Sequence, residues 1–279
     1  MTTKSILITG CSSGIGNACA LALKQRDWQV FATARKSEDV AALSELGLQA
    51  ISCDVCDEMS VKQTVEAVLT HTHGRLDALF NNAGYGLIGA LEDLEIATIS
   101  AQFDTNVLGP LRLIKAVLPT MRTQGYGRII NNSSVLAHFT MPLRGAYCAS
   151  KAALDSCSDA LRQELRGTGI EIVTLAPGPI RSQFRYNAKT LFETLQDPSQ
   201  SAHAQAYQAL QDYFAHTQQG HARFTLEPEA VVKQLLKALT QRHPKAYYFI
   251  GYPTRLIVLL RKLLGAKAFA RVLARINSP

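Results

Sequence analysis

Seven apolar runs of four to six residues recur along this chain, at 5–9, 29–34, 50–53, 76–81, 128–132, 171–176 and 246–250. Between them lie longer stretches with apolar residues three and four apart, among them 15–25, 60–70, 99–121 and 147–166. Apolar strands that alternate with helix-period segments cannot leave either sheet face bare, so the pattern predicts an α/β fold with a parallel sheet covered by helices on both sides. The stretch 147–166 sets Leu154, Cys157, Leu161 and Leu165 on one face and meets Gly167, a suitable helix-ending residue. At 279 residues and 47% hydrophobic content, one domain over residues 1–279 can bury its own core without disulfide or metal.

The segment 181–227 breaks the alternation, being long, polar and rich in Gln, His and Tyr after the sixth strand. Ligands of open α/β sheets bind at the carboxyl ends of strands, so an excursion there reads as a lid over a substrate pocket. No basic-then-apolar leader opens the chain, and six scattered cysteines suit a reducing compartment; the expected location is the cytoplasm. Cys53 and Cys56 have metal-like spacing without a second pair, which predicts two small core residues and no metal.

The net charge of +7 is lopsided: residues 230–279 hold ten Lys or Arg and no Asp or Glu, leaving residues 1–229 at −3. No aromatic-interleaved basic motif or zinc-finger spacing accompanies it, which argues against nucleic acid as a partner. In the segment 254–279, Leu256, Leu259, Leu260, Leu263, Phe269, Val272, Leu273 and Ile276 fall at helical spacing among Arg261, Lys262, Lys267, Arg271 and Arg275. That is too charged to span a bilayer. Three uses stay open: packing on the domain as a pocket wall, a dimer contact, or a basic amphipathic surface in peripheral contact with anionic lipid.

Two motifs carry chemistry. The run from Thr9 to Gly16 joins a strand to a helix; Gly10, Gly14 and Gly16 let the backbone turn and approach a pyrophosphate, with the helix N-terminus, Ser12, Ser13 and Ile15 around it. A glycine-rich turn alone equally suits a structural loop. Tyr147 and Lys151 lie four apart on a predicted helix, thirteen residues after Ser134. A free tyrosine has a pKa of about 10 and shuttles protons poorly at neutral pH, and a neighbouring cation lowers that value. The same pair also fits a solvated helix face.

Taken together, Thr9-Gly10 with Gly14 and Gly16, Asp54-Val55, Asn81-Asn82-Ala83-Gly84, Asn106, Ser134, Tyr147 with Lys151, and Pro177-Gly178 resemble the short-chain dehydrogenase/reductase family, in its order and at its spacing. The resemblance runs over nearly the whole length and implies a Rossmann-type doubly wound seven-stranded sheet in the order 3-2-1-4-5-6-7. Within the family, the glycine turn and the basic apolar C-terminus are most similar to the retinol and hydroxysteroid dehydrogenase branch and to bacterial aldehyde reductases.

The resemblance implies a nicotinamide cofactor. An acid at the end of the second strand would favour NAD; that position is Ala34, followed by Arg35 and Lys36, whose charges suit the 2′-phosphate of NADP(H), although both also fit solvated loop positions. By the same resemblance Asp54 and Val55 flank the adenine, and Asn82, Ala83 and Gly84 lie beneath the cofactor. Pro177, Gly178 and Ile180 line the nicotinamide, and Ser182 stands where the family more often has threonine.

As the resemblance implies, Tyr147 exchanges a proton with the substrate oxygen, Lys151 lowers the tyrosine pKa and holds the nicotinamide ribose, Ser134 steadies the carbonyl, and Asn106 keeps a proton-relaying water. Ser133 is the rival for the serine role. Leu87, Ile88, Val135, Leu136, Phe139, Phe184 and Tyr186 fall on segments expected to edge the cleft and favour an apolar carbonyl or alcohol, and each also suits core packing. No role is assigned to His138 or His203. The expected activity is reduction of an apolar aldehyde or ketone; oxidation of a hydroxysteroid or retinol-type alcohol is the alternative, and a non-catalytic NADP(H)-sensing regulator is disfavoured because all four catalytic positions are filled. Pairing through the Tyr147 helix, common in the family, implies a homodimer.

Overall fold

The computed structural model describes residues 3–195, 200–216, 224–265, 267–269 and 271–272. Its seven parallel strands are β1 (Ser5–Ile8), β2 (Gln29–Ala34), β3 (Gln49–Ser52), β4 (Ala78–Asn81), β5 (Gly127–Asn132), β6 (Ile170–Pro177) and β7 (Tyr247–Ile250), in the order β3-β2-β1-β4-β5-β6-β7. Register follows from side chains that alternate between two buried faces. Ile6 pairs with Val30 and Ala78, and Leu7 pairs with Phe31 and Leu79.

Ile6, Ile8, Val30, Ala32 and Phe80 meet helices α1 (Gly14–Lys24) and α2 (Ser37–Glu45) through Cys19, Leu23 and Leu43. Leu7, Phe31, Leu79 and Ile129 face α3 (Glu58–His71) through Val61, Val65 and Val68. The sheet is thus doubly wound, and its connections reverse direction between β1 and β4, opening a crevice at the carboxyl ends of those strands.

Three predicted elements differ from the fold. The stretch 99–121 is not one helix: α4 (Ile96–Phe103) passes into a π-helical turn, Asp104–Leu108, before α5 (Gly109–Gln124). Gly109 lies so close to Val55 that a Cβ there would sit 2.9 Å from it, and Pro110 opens the new helix. The helix carrying Tyr147, α6 (Gly145–Glu164), begins two residues earlier than predicted and puts the tyrosine in its first turn.

The segment 181–227 holds two helices, α7 (Phe184–Leu195) and α8 (Ala204–His216), where the sequence reads as irregular. Ala188, Phe192, Tyr207 and Phe214 bury their side chains with Ile88 and Ala90, and this sparse apolar set is masked by polar neighbours in the sequence. The ends of the excursion are tied: Arg181 N–H donates to Leu226 O at 2.8 Å, and Leu226 N–H to Pro179 O at 3.0 Å. Beyond it, α9 (Glu229–Thr240) joins the α1 face, and α10 (Tyr252–Leu263) follows β7. Of the C-terminal residues read as amphipathic, Leu273, Arg275 and Ile276 lie outside the described residues. Among the described residues, no helix is long and apolar enough to cross a membrane.

Candidate active site

The crevice floor is built from the first two strands to leave the switch point. Thr9 Oγ1 accepts from Asn82 N–H and Ala83 N–H, both at 3.0 Å, and Asn82 Nδ2 returns hydrogen bonds to Thr9 O and Gly10 O at 3.0 Å. The β1 turn and the β4 end are thereby locked together. Gly10 has φ +69°, and a Cβ there would lie 2.8 Å from Ala83 Cα, so only glycine permits this approach. Ser13 is the N-cap of α1, yet its side chain makes no cap hydrogen bond, which leaves the N-terminal amides of the helix open to an anion such as a pyrophosphate. Ser182 packs over the same turn, its Cβ 2.8 Å from where a Gly14 Cβ would stand.

Beyond the end of β3, Asp54 Oδ1 accepts from Cys56 N–H at 2.9 Å and Val55 is buried beside Gly109. Arg35 and Lys36 are exposed at the end of β2; Lys36 lies 3.7 Å from Glu38, whereas Arg35 has no ion pair or hydrogen bond among the described residues. At the other end of the crevice, Gly178 N–H donates to Ile250 O at 2.9 Å and Ile180 is buried against Leu226.

Four side chains converge where β4, β5, the π turn and α6 meet. The widened turn buries Asn106 completely: its Oδ1 accepts from Tyr85 N–H at 3.1 Å, and its Nδ2 donates to Tyr85 O and Ser150 Oγ, each at 3.0 Å. Lys151 Nζ donates to Asn132 O at 2.8 Å. A Cβ on Gly84 would stand 2.8 Å from Asn106 Oδ1 and 3.5 Å from Lys151 Nζ, so both groups face the gap above Gly84. Ser134 begins a 3-10 turn, Val135–Ala137, by accepting from Leu136 N–H at 3.1 Å, and its hydroxyl lies near enough to the Tyr147 phenol to favour its ionised form. Ser133, the rival serine, faces Asp155 instead.

Electrostatics departs from the sequence expectation. Burial pushes the Tyr147 phenol up to about 12, and the Ser134 hydroxyl and the Arg144 charge only partly oppose the rise. Lys151 is itself pulled down to about 8 by burial, with Asp155 opposing. At neutral pH the phenol is therefore fully protonated, which suits a proton donor.

Sequence reasoning missed the scaffold behind these groups. Asn81 Nδ2 donates to Asn131 Oδ1 at 2.9 Å, Asn131 Nδ2 to Ser158 Oγ at 2.8 Å, and Asn132 Nδ2 to Asn82 Oδ1 at 2.9 Å. The runs Asn81-Asn82 and Asn131-Asn132 at the ends of adjacent strands were the available signal. Of the residues expected to edge the cleft, Phe184 sits with its ring 5.5 Å from that of Tyr147, while Leu87 and Ile88 are core and Tyr186 is exposed. Val135 and Phe139 pack against Val258 and Phe269, so α10 lies on the domain beside the Ser134 turn. A cavity of about 410 Å³ at the opposite, amino end of the sheet, lined by Lys4, Arg128, Glu171 and Arg242, contains none of these groups.

The sequence pattern described as short chain dehydrogenase matches residues 4–191. The chain belongs to the short-chain dehydrogenase family. This dehydrogenase is 38% identical over 270 residues to the uncharacterized oxidoreductase YbbO of Escherichia coli (strain K12), covering 97% of this chain and 94% of that one. It is 32% identical over 276 residues to 17-beta-hydroxysteroid dehydrogenase type 1 of Homo sapiens, covering 95% and 82%. A solved short-chain dehydrogenase from Streptomyces avermitilis superposes with a TM-score of 0.76 at 27% identity over 99% of this chain and 97% of the other. The enzyme is an oxidoreductase of CH–OH and C=O groups, and its family uses NAD or NADP. The crevice fits such a dinucleotide, with bare backbone at Gly10, an uncommitted cap hydroxyl at Ser13 and a buried Asn132 Oδ1 without a partner.

Proposed function

We propose that the enzyme uses NADP(H) to reduce an apolar aldehyde or ketone to its alcohol. The observation that carries the reading is a buried, protonated Tyr147 beside Ser134, with the buried Lys151 one turn further along the same helix and facing the gap above Gly84. A bound reduced nicotinamide supplies hydride to the carbonyl carbon. Ser134 donates a hydrogen bond to the carbonyl oxygen as it gains negative charge, and Tyr147 protonates that oxygen. Lys151 holds the ribose with its charged amine, and the gap above Gly84 gives it and Asn106 a place for the water that restores the proton. In the reverse direction Tyr147 takes the proton from an alcohol. The residues assigned to the cofactor are Gly10, Ser12, Ser13, Gly14, Ile15, Gly16, Arg35, Lys36, Asp54, Val55, Asn82, Ala83, Gly84, Pro177, Gly178, Ile180 and Ser182, together with Tyr147 and Lys151.

The choice of NADP(H) rests on Ala34 in place of an acid and on the exposed, unpaired Arg35. Loss of NADPH absorbance with aliphatic and aromatic aldehydes, retinal and ketosteroids tests the activity, and NADH run in parallel tests the cofactor. We expect Arg35→Ser to raise the KM for NADPH about 10- to 100-fold and leave that for NADH unchanged, because it removes one charge-assisted phosphate contact. Equal or better kcat/KM with NADH in the unmodified enzyme contradicts the assignment.

Two surface readings belong here. The Leu256, Leu259 and Leu263 side chains of α10 stay exposed beside the basic Arg261, which supports peripheral contact with anionic lipid in the cytoplasm. Flotation with anionic vesicles tests it, and protein that all stays in solution overturns it. Pairing of two copies through α6 is tested by sedimentation.

A further inference from the structure

We propose that Arg144 and Arg185 form an anion-binding subsite at the substrate mouth, so that the preferred carbonyl compound carries a carboxylate or phosphate away from its reacting carbon. The inference rests on the carbonyl-reductase reading and names the substrate class of that same site.

The backbone on either side of Arg144 is tightly held. Leu143 adopts φ +58°, a left-handed conformation costly for leucine, and its side chain packs into the lid core with Phe214 and Ala188. Gly145, the next residue after Arg144, is pressed against Leu91 so closely that a Cβ would lie 2.8 Å from its Cγ. Between these two fixed points Arg144 is half-buried, at the N-cap of α6 and three residues before Tyr147. Arg185 is also half-buried and follows Phe184, the residue whose ring lies 5.5 Å from Tyr147.

Neither guanidinium has a hydrogen bond or ion pair among the described residues. Each has five N–H donors, and partial burial without acceptors is unfavourable. The two charges also repel: burial first and then Arg185 hold the Arg144 pKa below its usual value, with Tyr147 and Tyr213 close by. Acids on the segment around Leu91 and on α8 are engaged elsewhere. Glu92 meets His203, Asp93 accepts from Ser201 and Tyr207, and Asp212 accepts from Gln208. An anion between α6 and the first turn of α7 supplies what both arginines lack, and a paired guanidinium site matches carboxylate or phosphate oxygens. The apolar lid residues then hold the remainder of the molecule.

The test compares kcat/KM for matched aldehydes: 4-carboxybenzaldehyde against methyl 4-formylbenzoate, and 4-formylphenyl phosphate against 4-methoxybenzaldehyde. The carboxylate and phosphate arms show which anion is preferred. The expected ratio of anionic to neutral substrate is about 10- to 100-fold in at least one arm, carried mostly by KM and falling with added salt. Arg144→Gln and Arg185→Gln each lower that ratio, and Arg144→Lys keeps part of it. A purely structural role for Arg144 changes both members of a pair alike and leaves the ratio in place. A ratio near one in both arms, or one that survives both glutamine variants, overturns the subsite. If no aldehyde is turned over, the reductase reading fails instead. The subsite is then judged by calorimetry with 4-(hydroxymethyl)benzoate, which needs no turnover: tighter binding than 4-methylbenzyl alcohol that is lost in Arg185→Gln supports it, and equal binding overturns it.

Discussion

Replacing Asn106 by alanine tests how the π turn builds the site. Asn106 is fully buried and its amide serves three groups, but the three do not lose equally. Tyr85 O keeps a second donor in Gln102 Nε2 at 3.1 Å, and Ser150 Oγ still donates to Tyr147 O at 2.8 Å. The Tyr85 N–H loses the acceptor it has in Asn106, and an unsatisfied buried donor costs about 1–3 kcal/mol. With the two weaker losses the expected destabilisation is about 2–4 kcal/mol, or a fall in Tm of about 4–10 °C for a chain of this size. Because Ser150 lies between Tyr147 and Lys151, the same change should reduce kcat about 10- to 100-fold. Urea unfolding and steady-state kinetics on Asn106→Ala, Ser150→Ala and the double variant measure both effects. The two sites should couple by about 1 kcal/mol. A melting temperature unchanged within a degree, or strictly additive variants, refutes the idea that this amide fixes the loop above the catalytic groups.

Two further outcomes follow from the site. The kcat/KM for reduction should fall as pH rises through the Lys151 pKa of about 8, because the charged amine disappears there. Asp155→Asn removes the carboxylate that supports that charge and should move the fall to lower pH; an unmoved profile assigns the limb to another group. Phe184→Ala clears the ring packed against Tyr147 and Gly86, and should raise kcat/KM for a bulky ketone relative to a small aldehyde by about 10-fold, whereas loss of both together marks Phe184 as an anchor of α7.

The strands and the glycine turn were legible because both rest on local patterns: buried strands read as apolar runs, and a turn that must approach backbone closely reads as Gly10, Gly14 and Gly16, whereas the strand order came only with the family resemblance. The interruption at Asp104–Leu108 was not, since residues 99–121 keep helical spacing through it and only the packing of Gly109 on Val55 shows where the helix reorganises. The helices α7 and α8 were hidden by their few apolar positions, which become a core only when Ile88 and Ala90 face them. Spacing placed Tyr147 and Lys151 on one helix, but the sign of the phenol's shift depends on burial, a property of the assembled fold that no spacing records. Arg144 and Arg185, 41 positions apart, carry no shared motif at all.

Tyr147→Phe removes the phenol proposed as proton donor and keeps the ring and its packing against Phe184. Turnover of a good aldehyde substrate, measured beside NADPH binding by fluorescence, should fall about 10³-fold while the dissociation constant stays within about threefold. Turnover that persists within about tenfold of the unmodified enzyme contradicts a phenol-driven reduction.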